Sequence, residues 1–343
     1  MTGAGRPGDS TKDVLLRVEG LTKGYPVRRT LGERIRRVPA RRLMAVQNVS
    51  FEVRQREVMG IVGESGSGKT TLGRSLVRLV DPDEGTVLFD GVNVRAVDGS
   101  DLRRLRRRVQ MVFQDPFTSL NPRMTVGAAI LEAGKVHGLV ETGRHDEFVS
   151  RHMERVGLTA TLADRRPRQL SGGQRQRVAI ARALAVGPDM IIADEPVSAL
   201  DVSIQAQIIN LFRDLQDRLG LTMIFIAHQL SVVSQVADTV AVMYMGRIVE
   251  HGTLEKVFGR PEHPYTQALL ASRPDPNPRH KGDPPLRGDV PSPLDLPPGC
   301  KFATRCPFVE DECRQVEPAL EGTEPRHLVA CHVKPRPWEG GIS

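Results

Sequence analysis

Gly63-Glu64-Ser65-Gly66-Ser67-Gly68-Lys69-Thr70 fits the pattern G-x-x-x-x-G-K-[ST] in full. Glycines at these positions let successive backbone N–H groups turn inward around a polyphosphate. A helix starting at Lys69 presents its positive end to the same anion. Lys69 then reaches the β- and γ-phosphates, and the Thr70 hydroxyl, with Thr71 beside it, is placed to ligate Mg²⁺. The bland alternative is a Gly-rich turn with no ligand. The setting argues against it: a continuous apolar run, Val58 to Val62, precedes the turn and a helical pattern follows. That is the strand–turn–helix context the chemistry requires.

A second acidic feature lies further on, where Met190-Ile191-Ile192-Ala193 ends in Asp194-Glu195. An acid at the end of a buried strand can hold Mg²⁺, directly or through water, beside the β- and γ-phosphates. Asp194 takes that role, and Glu195 is expected to face the γ-phosphate and polarise the attacking water as general base. Strand-end acids facing solvent are common, so this pair gains its meaning from the phosphate loop in the same chain.

These groups need a scaffold that delivers strand ends to one edge. Apolar runs at Val58–Val62, Val109–Phe113, Met190–Ala193 and Met223–Ala227 read as buried strands. Helical patterns separate them: Lys69 to about Val80, Gln174–Val186 and Ser203–Leu219. Shorter strand signals appear at Val14–Val18 and Phe51–Val53. Buried strands alternating with helices imply a largely parallel α/β core. Val126 to about Leu162 reads as helices alone, so a helical subdomain over about 115–187 is expected within a main domain spanning 14–262. Residues 263–343 form an expected extension, with a Pro/Gly/Asp-dense linker at 273–298 and a Cys-bearing unit at 299–333.

The 343 residues carry 48 Lys+Arg against 41 Asp+Glu, a net +7. That excess suits nucleotides, nucleic acid or an anionic membrane surface and does not choose among them. No apolar stretch approaches the roughly 20 residues that cross a bilayer, and residues 1–13 show no apolar signal region, so a cytoplasmic chain is expected. Arg28, Arg29, Arg34, Arg36, Arg37, Arg41 and Arg42, with five more in Arg103–Arg108, read first as solvated surface and second as contacts to anionic headgroups. All four cysteines, Cys300, Cys306, Cys313 and Cys331, fall in the last 44 residues. Four thiolates suffice for one [4Fe–4S] cluster or one structural zinc. His327 and His332 keep a Cys3His zinc site open, and simple packing is the third reading.

Leu170-Ser171-Gly172-Gly173-Gln174 resembles the signature sequence of the ATP-binding cassette (ABC) ATPases. The resemblance implies an ABC-type P-loop ATPase fold with ATP and Mg²⁺ as cofactors. It also implies that Ser171, Gly172, Gly173 and Gln174 close over the γ-phosphate of ATP bound to a partner subunit. Other positions match in order. Tyr25 stands where the family stacks an aromatic on adenine, and Gln114 where a glutamine touches Mg²⁺ and senses the transmembrane partner. Asp201, in Ser198-Ala199-Leu200-Asp201, stands in the D-loop across the dimer seam, and His228 where a histidine bonds the γ-phosphate. Gln229 departs from the family, which usually has Asp there.

Gln114 to Arg123, Asp194 to Gln207 and His263-Pro264-Tyr265-Thr266 are similar to ATP-binding subunits of bacterial oligopeptide and dipeptide importers. Pro196-Val197-Ser198-Ala199 is more like the F-type member of their unequal ATPase pair. That resemblance implies a homologous second ATPase, two permease subunits, an extracytoplasmic binding protein, and a place on the cytoplasmic face of the membrane. Its extension carries a cysteine set associated with an iron–sulfur cluster. Nickel and glutathione importers share these features. A nucleic-acid-linked ABC ATPase, the rival class, usually carries two cassettes in one chain, and a single cassette with this extension argues against nucleic acid as a partner.

Overall fold

The computed structural model describes residues 13–27, 29, 36, 41–115, 119–272, 291–294 and 296–333. Arg28, Arg34, Arg37 and most of the expected linker 273–298 lie outside the described residues, as do positions 116–118.

Two long strands open the chain, β1 (Val14–Pro26) and β2 (Arg42–Arg54). They pair antiparallel, with register shifts at Val14/Leu16, Val18/Leu21, Leu21/Lys23 and Lys23/Gly24. Three of the shifts follow Val18 and interrupt the period-two alternation there, so the strand's second half carries no strand signal in the sequence. With β4 (Glu84–Phe89) and β5 (Val92–Asn93) they form a four-stranded antiparallel sheet, an element the sequence reading did not foresee.

Among the described residues the larger sheet has eight strands. Five run parallel in the order β6 (Val109–Val112), β7 (Met190–Asp194), β8 (Thr222–Ala227), β3 (Val58–Val62) and β9 (Thr239–Tyr244). All residues of β3, β7, β8 and β9 are buried, as continuous apolar runs require when both faces are covered. Parity splits their side chains between two cores. Val58 and Val62 face one, together with the helical subdomain; Met59 and Ile61 face the other, with β1 and β2. Helices connect the strands: α1 (Lys69–Leu76), α2 (Gly99–Arg108), α3 (Val126–Val136), α4 (His145–Arg155), α5 (Gly172–Leu184) and α6 (Val202–Leu219). Helix α1 stops short of the expected Val80 because Arg78 adopts φ 52° and its N–H turns back to Ser75 O. No helix among the described residues is long and apolar enough to cross a membrane.

Antiparallel strands complete the sheet beyond β9. Strand β10 (Arg247–Thr253) pairs with β9, β12 (His327–Val329) with β10, and β11 (Glu321–Glu324) with β12. The C-terminal segment therefore continues the core sheet. Glu250, 0% exposed, fastens the junction: its carboxylate accepts the Glu262 and His263 backbone N–H groups and meets His327 Nε2 at 2.8 Å. His263 caps the helix Pro264–Ala271 by accepting the Tyr265 N–H on Nδ1 at 3.0 Å.

Burial pushes the His263 pKa down to about 3. Its folded pKa lies below the unfolded value of 6.5, so the stability it contributes is complete above pH 6.5 and is lost as pH falls toward 3. Between pH 7 and pH 5 the wild type should lose about 2 kcal/mol through this residue. His263→Asn keeps an acceptor for the cap and should flatten the pH dependence of Tm. Equal slopes in the two proteins would contradict this assignment.

Candidate active site

The turn after β3 closes around its own lysine. Lys69 is 4% exposed, and Nζ donates to Gly63 O at 2.8 Å, Glu64 O at 2.9 Å and Ser67 Oγ at 3.2 Å. Burial lowers its pKa against the opposing pull of Glu195, Asp194 and Glu64. An ammonium held by replaceable carbonyl oxygens is ready to exchange them for anionic ones. Two glycines are required by close approach. A Cβ on Gly63 would collide with the Met243 carbonyl, and one on Gly68, at φ 100°, with the Ala45 carbonyl.

Thr70, the second residue of α1, donates from Oγ1 to Asp194 Oδ1 at 2.9 Å. Asp194 is 1% exposed, and burial raises its pKa while the Thr70 hydrogen bond works the other way. A carboxylate and a hydroxyl so placed are hard-oxygen donors that suit Mg²⁺, and a bound cation would reverse the effect of burial. Glu195 follows at φ 47°, with its N–H fixed to Ile226 O at 2.9 Å. That left-handed conformation is uncommon for a non-glycine residue and aims its side chain away from the strand line. His228 Nδ1 stands 3.7 Å from Glu195 Oε2, nearby but beyond a hydrogen bond.

A cleft of about 450 Å³ is lined by Tyr25, Ser65, Gly66, Gly68, Lys69, Thr70, Thr71, Gln114 and Glu195. Asp194 joins this group through Thr70, and His228 through its approach to Glu195. Tyr25 is 37% exposed at the rim, with Lys23 Nζ 5.6 Å from its ring centroid. Met44, Met245 and Pro293 also line the cleft, and they carry no local sequence signal that could have found them.

The remaining sequence-predicted residues form a second edge that does not line this cleft. Ser171 and Gln174 make a reciprocal capping box at the start of α5: Gln174 N–H donates to Ser171 Oγ at 3.2 Å and Ser171 N–H to Gln174 Oε1 at 3.0 Å. A Cβ on Gly172 would lie 3.1 Å from Leu200 Cδ2, and one on Gly173 2.6 Å from Ile204 Cγ2. Small residues here let α5 pack against the segment that holds Asp201, the N-cap of α6. One chain thus presents a phosphate cradle and a separate helix edge with glycine backbone.

The four cysteines are free. Cys300 N–H donates to Cys313 O at 2.8 Å, and Cys331 Sγ donates to Val333 O at 3.0 Å. Burial, reinforced by the other thiols, pushes Cys306 up to about 11 and Cys331 up to about 12. Among the described residues, no three His, Cys, Asp or Glu side chains are arranged to hold a metal ion. His327, a possible zinc ligand in the sequence, is committed to Glu250, and His332 Nε2 meets Val316 O at 3.0 Å.

The arginines of α2 are largely structural. Arg106 donates to Arg78 O, Arg107 to Val186 O, and Arg108 pairs with Asp90 and Asp189. Arg103 and Arg104 stay exposed.

The fold and the cleft together define a P-loop ATPase cassette. Residues 46–198 match the ABC transporter family, and residues 249–313 match the C-terminal region of oligopeptide/dipeptide transporters. The oligopeptide transport ATP-binding protein AppF of Bacillus subtilis is 44% identical over 330 residues, covering 94% of this chain and 98% of AppF. A Brucella ovis protein provisionally named a peptide import ATP-binding protein is 48% identical over 322 residues, covering 94% of this chain and 98% of its own. Among solved structures, the dimeric ATP-binding cassette MJ0796, in a post-hydrolysis state with ADP and Pi, superposes with a TM-score of 0.61 at 29% identity, covering 70% of this chain and 98% of that one. The chain belongs to the family of ABC-transporter ATP-binding proteins that serve oligopeptide and dipeptide transport.

Proposed function

We propose that this chain hydrolyses ATP to energise peptide uptake by an ABC importer. One observation carries the chemistry: Lys69, Thr70, Gln114 and Glu195 converge on a single cleft, with Asp194 hydrogen-bonded into it. The substrate class rests on relatives named for peptide transport that match nearly the whole chain.

The backbone N–H groups of residues 63–70 receive the polyphosphate, and Lys69 exchanges its carbonyl partners for the β- and γ-phosphate oxygens. Thr70 Oγ1, Asp194 and Gln114 are the residues that would hold Mg²⁺, which when bound neutralises charge on the phosphates. Glu195 takes the proton of the attacking water, and His228 bonds the γ-phosphate. Tyr25 stacks on adenine at the rim.

Ser171–Gln174 and Asp201 do not line the cradle of their own chain, and this favours their use on the ATP of a second cassette. The partner is a related but different ATPase, and the pair docks on two permease subunits fed by an extracytoplasmic binding protein. A groove next to Gln114, about 450 Å³, is lined by Phe113, Gln110, Leu79 and Val136 among others. Leu79 and Val136 are 49% and 61% exposed, which suits a permease segment on the cytoplasmic face of the membrane. Exposed Arg103 and Arg104 suit weak attraction to anionic headgroups.

Glu195→Gln should lower turnover by roughly 10²–10⁴-fold while ATP binding survives. Single-turnover hydrolysis and equilibrium binding measure the two separately, and near-normal turnover would remove Glu195 from its role.

For the extension we propose that Cys300, Cys306, Cys313 and Cys331 bind a [4Fe–4S] cluster, with zinc as the alternative. Four free cysteines in one small unit, with the Cys300 N–H bonded to Cys313 O, are the kind of donor set that a cluster or cation deprotonates. Anaerobically purified protein should contain iron and acid-labile sulfide, and any single Cys→Ser change should release them. Zinc alone would select the structural-zinc reading, and neither metal would defeat both.

A further inference from the structure

Glu64 is the second residue of the phosphate loop, and the C-terminal extension grips it twice. Its backbone N–H donates to Tyr265 Oη at 2.9 Å. Its carboxylate takes a two-pronged ion pair from Arg305, Nη1 to Oε2 at 2.9 Å and Nη2 to Oε1 at 3.2 Å. Its carbonyl is one of the three oxygens holding Lys69. The Ser67 N–H also donates to that carbonyl, at 3.2 Å. Every polar group of Glu64 is thus engaged, and two of its four partners, Tyr265 and Arg305, come from beyond residue 262.

Both partners are rigidly seated. Tyr265 is 0% exposed and packs with Tyr244 and Phe302, at ring-centroid separations of 4.6 and 5.5 Å. The Arg305 side chain is 5% exposed, and its guanidinium lies 6.0 Å from the Phe302 ring centroid and 5.9 Å from that of Tyr244. The turn that presents it is closed by Arg305 N–H and Cys306 N–H, both donating to Phe302 O. A planar guanidinium held in this way loses little freedom on pairing with a carboxylate.

An acid in a loop built to receive an anion is electrostatically adverse. Glu64 is also close enough to favour the Lys69 charge, so an unpaired Glu64 competes with phosphate for that ammonium. We infer that Arg305 and Tyr265 are positioning residues of the phosphate loop, with Arg305 neutralising Glu64 and Tyr265 fixing its backbone, so that ATP affinity depends on the extension. This inference rests on the reading of residues 63–70 as the ATP site.

The test uses the full chain, a fluorescent ATP analogue and Mg²⁺. Arg305→Met keeps the contact with Phe302 and removes the charge; it should weaken binding on the order of tenfold through the freed carboxylate. Adding Glu64→Gln to Arg305→Met should restore most of the lost affinity, a rescue that a merely structural role for Arg305 would not give. Tyr265→Phe should weaken binding less and should not be rescued by Glu64→Gln. Single-turnover hydrolysis at saturating ATP should be nearly unchanged in Arg305→Met, so that the effect falls on KM. Wild-type affinity in Arg305→Met, or a weakening that persists in the double variant, overturns the inference. Lys69→Ala separates the two readings: normal binding there defeats the ATP site itself, whereas weak binding there with normal Arg305→Met defeats only the role of the extension.

Discussion

The hydrogen bond from Thr70 to Asp194 joins groups 124 residues apart in the chain, and strand register makes it possible. In the parallel sheet Ile61 of β3 is level with Ile226 of β8, which is level with Asp194 of β7. The loop after β3, the acids ending β7 and His228 just past β8 must therefore emerge at one edge. A single-residue slip of β7 would turn Asp194 to the other face and leave Thr70 without its partner. The burial of all three strands on both faces makes such a slip costly, so the apolar core fixes the position of the polar site.

Charge at that edge is balanced closely. Lys69 is the buried cation, and Asp194, Glu195 and Glu64 act on it with opposite sign. Asp194 is paired with a neutral hydroxyl, and burial leaves it ready for a cation. Glu64 is satisfied from outside the loop by Arg305. The cradle thereby keeps its own ammonium for an incoming polyphosphate, and packing on Tyr244 and Phe302 keeps Arg305 and Tyr265 at the loop.

The sequence made the site legible where chemistry is written in local spacing. The glycines, lysine and threonines of residues 63–71, the acids after Ala193 and the capping pair Ser171/Gln174 each form a contiguous pattern beside a strong apolar run. Tertiary pairings between short or irregular segments were not legible. Strand β12 has three residues, too few for a periodic signal, and its pairing with β10 is accompanied by the buried Glu250–His327 contact. Of strand β1 only Val14–Val18 was legible, and the rest, to Pro26, follows further register shifts. Arg305 and Glu64 are 241 positions apart, and neither belongs to a periodic pattern. The arginines of α2 suggested a charged surface, yet Arg106 and Arg107 brace backbone carbonyls and Arg108 bridges the exposed Asp90 and Asp189, a role that composition does not reveal.

In the proposed function each ATP is completed by a second cassette, a reading supported by the Ser171–Gln174 edge lying outside the cleft that holds Lys69. Specific ATPase activity followed across a dilution series, alone and with the assembled transporter, tests this most directly. The account predicts weak activity for the isolated chain, falling per subunit as it is diluted, and a marked rise in the full transporter. High activity per subunit, independent of concentration in a monomer, would contradict it.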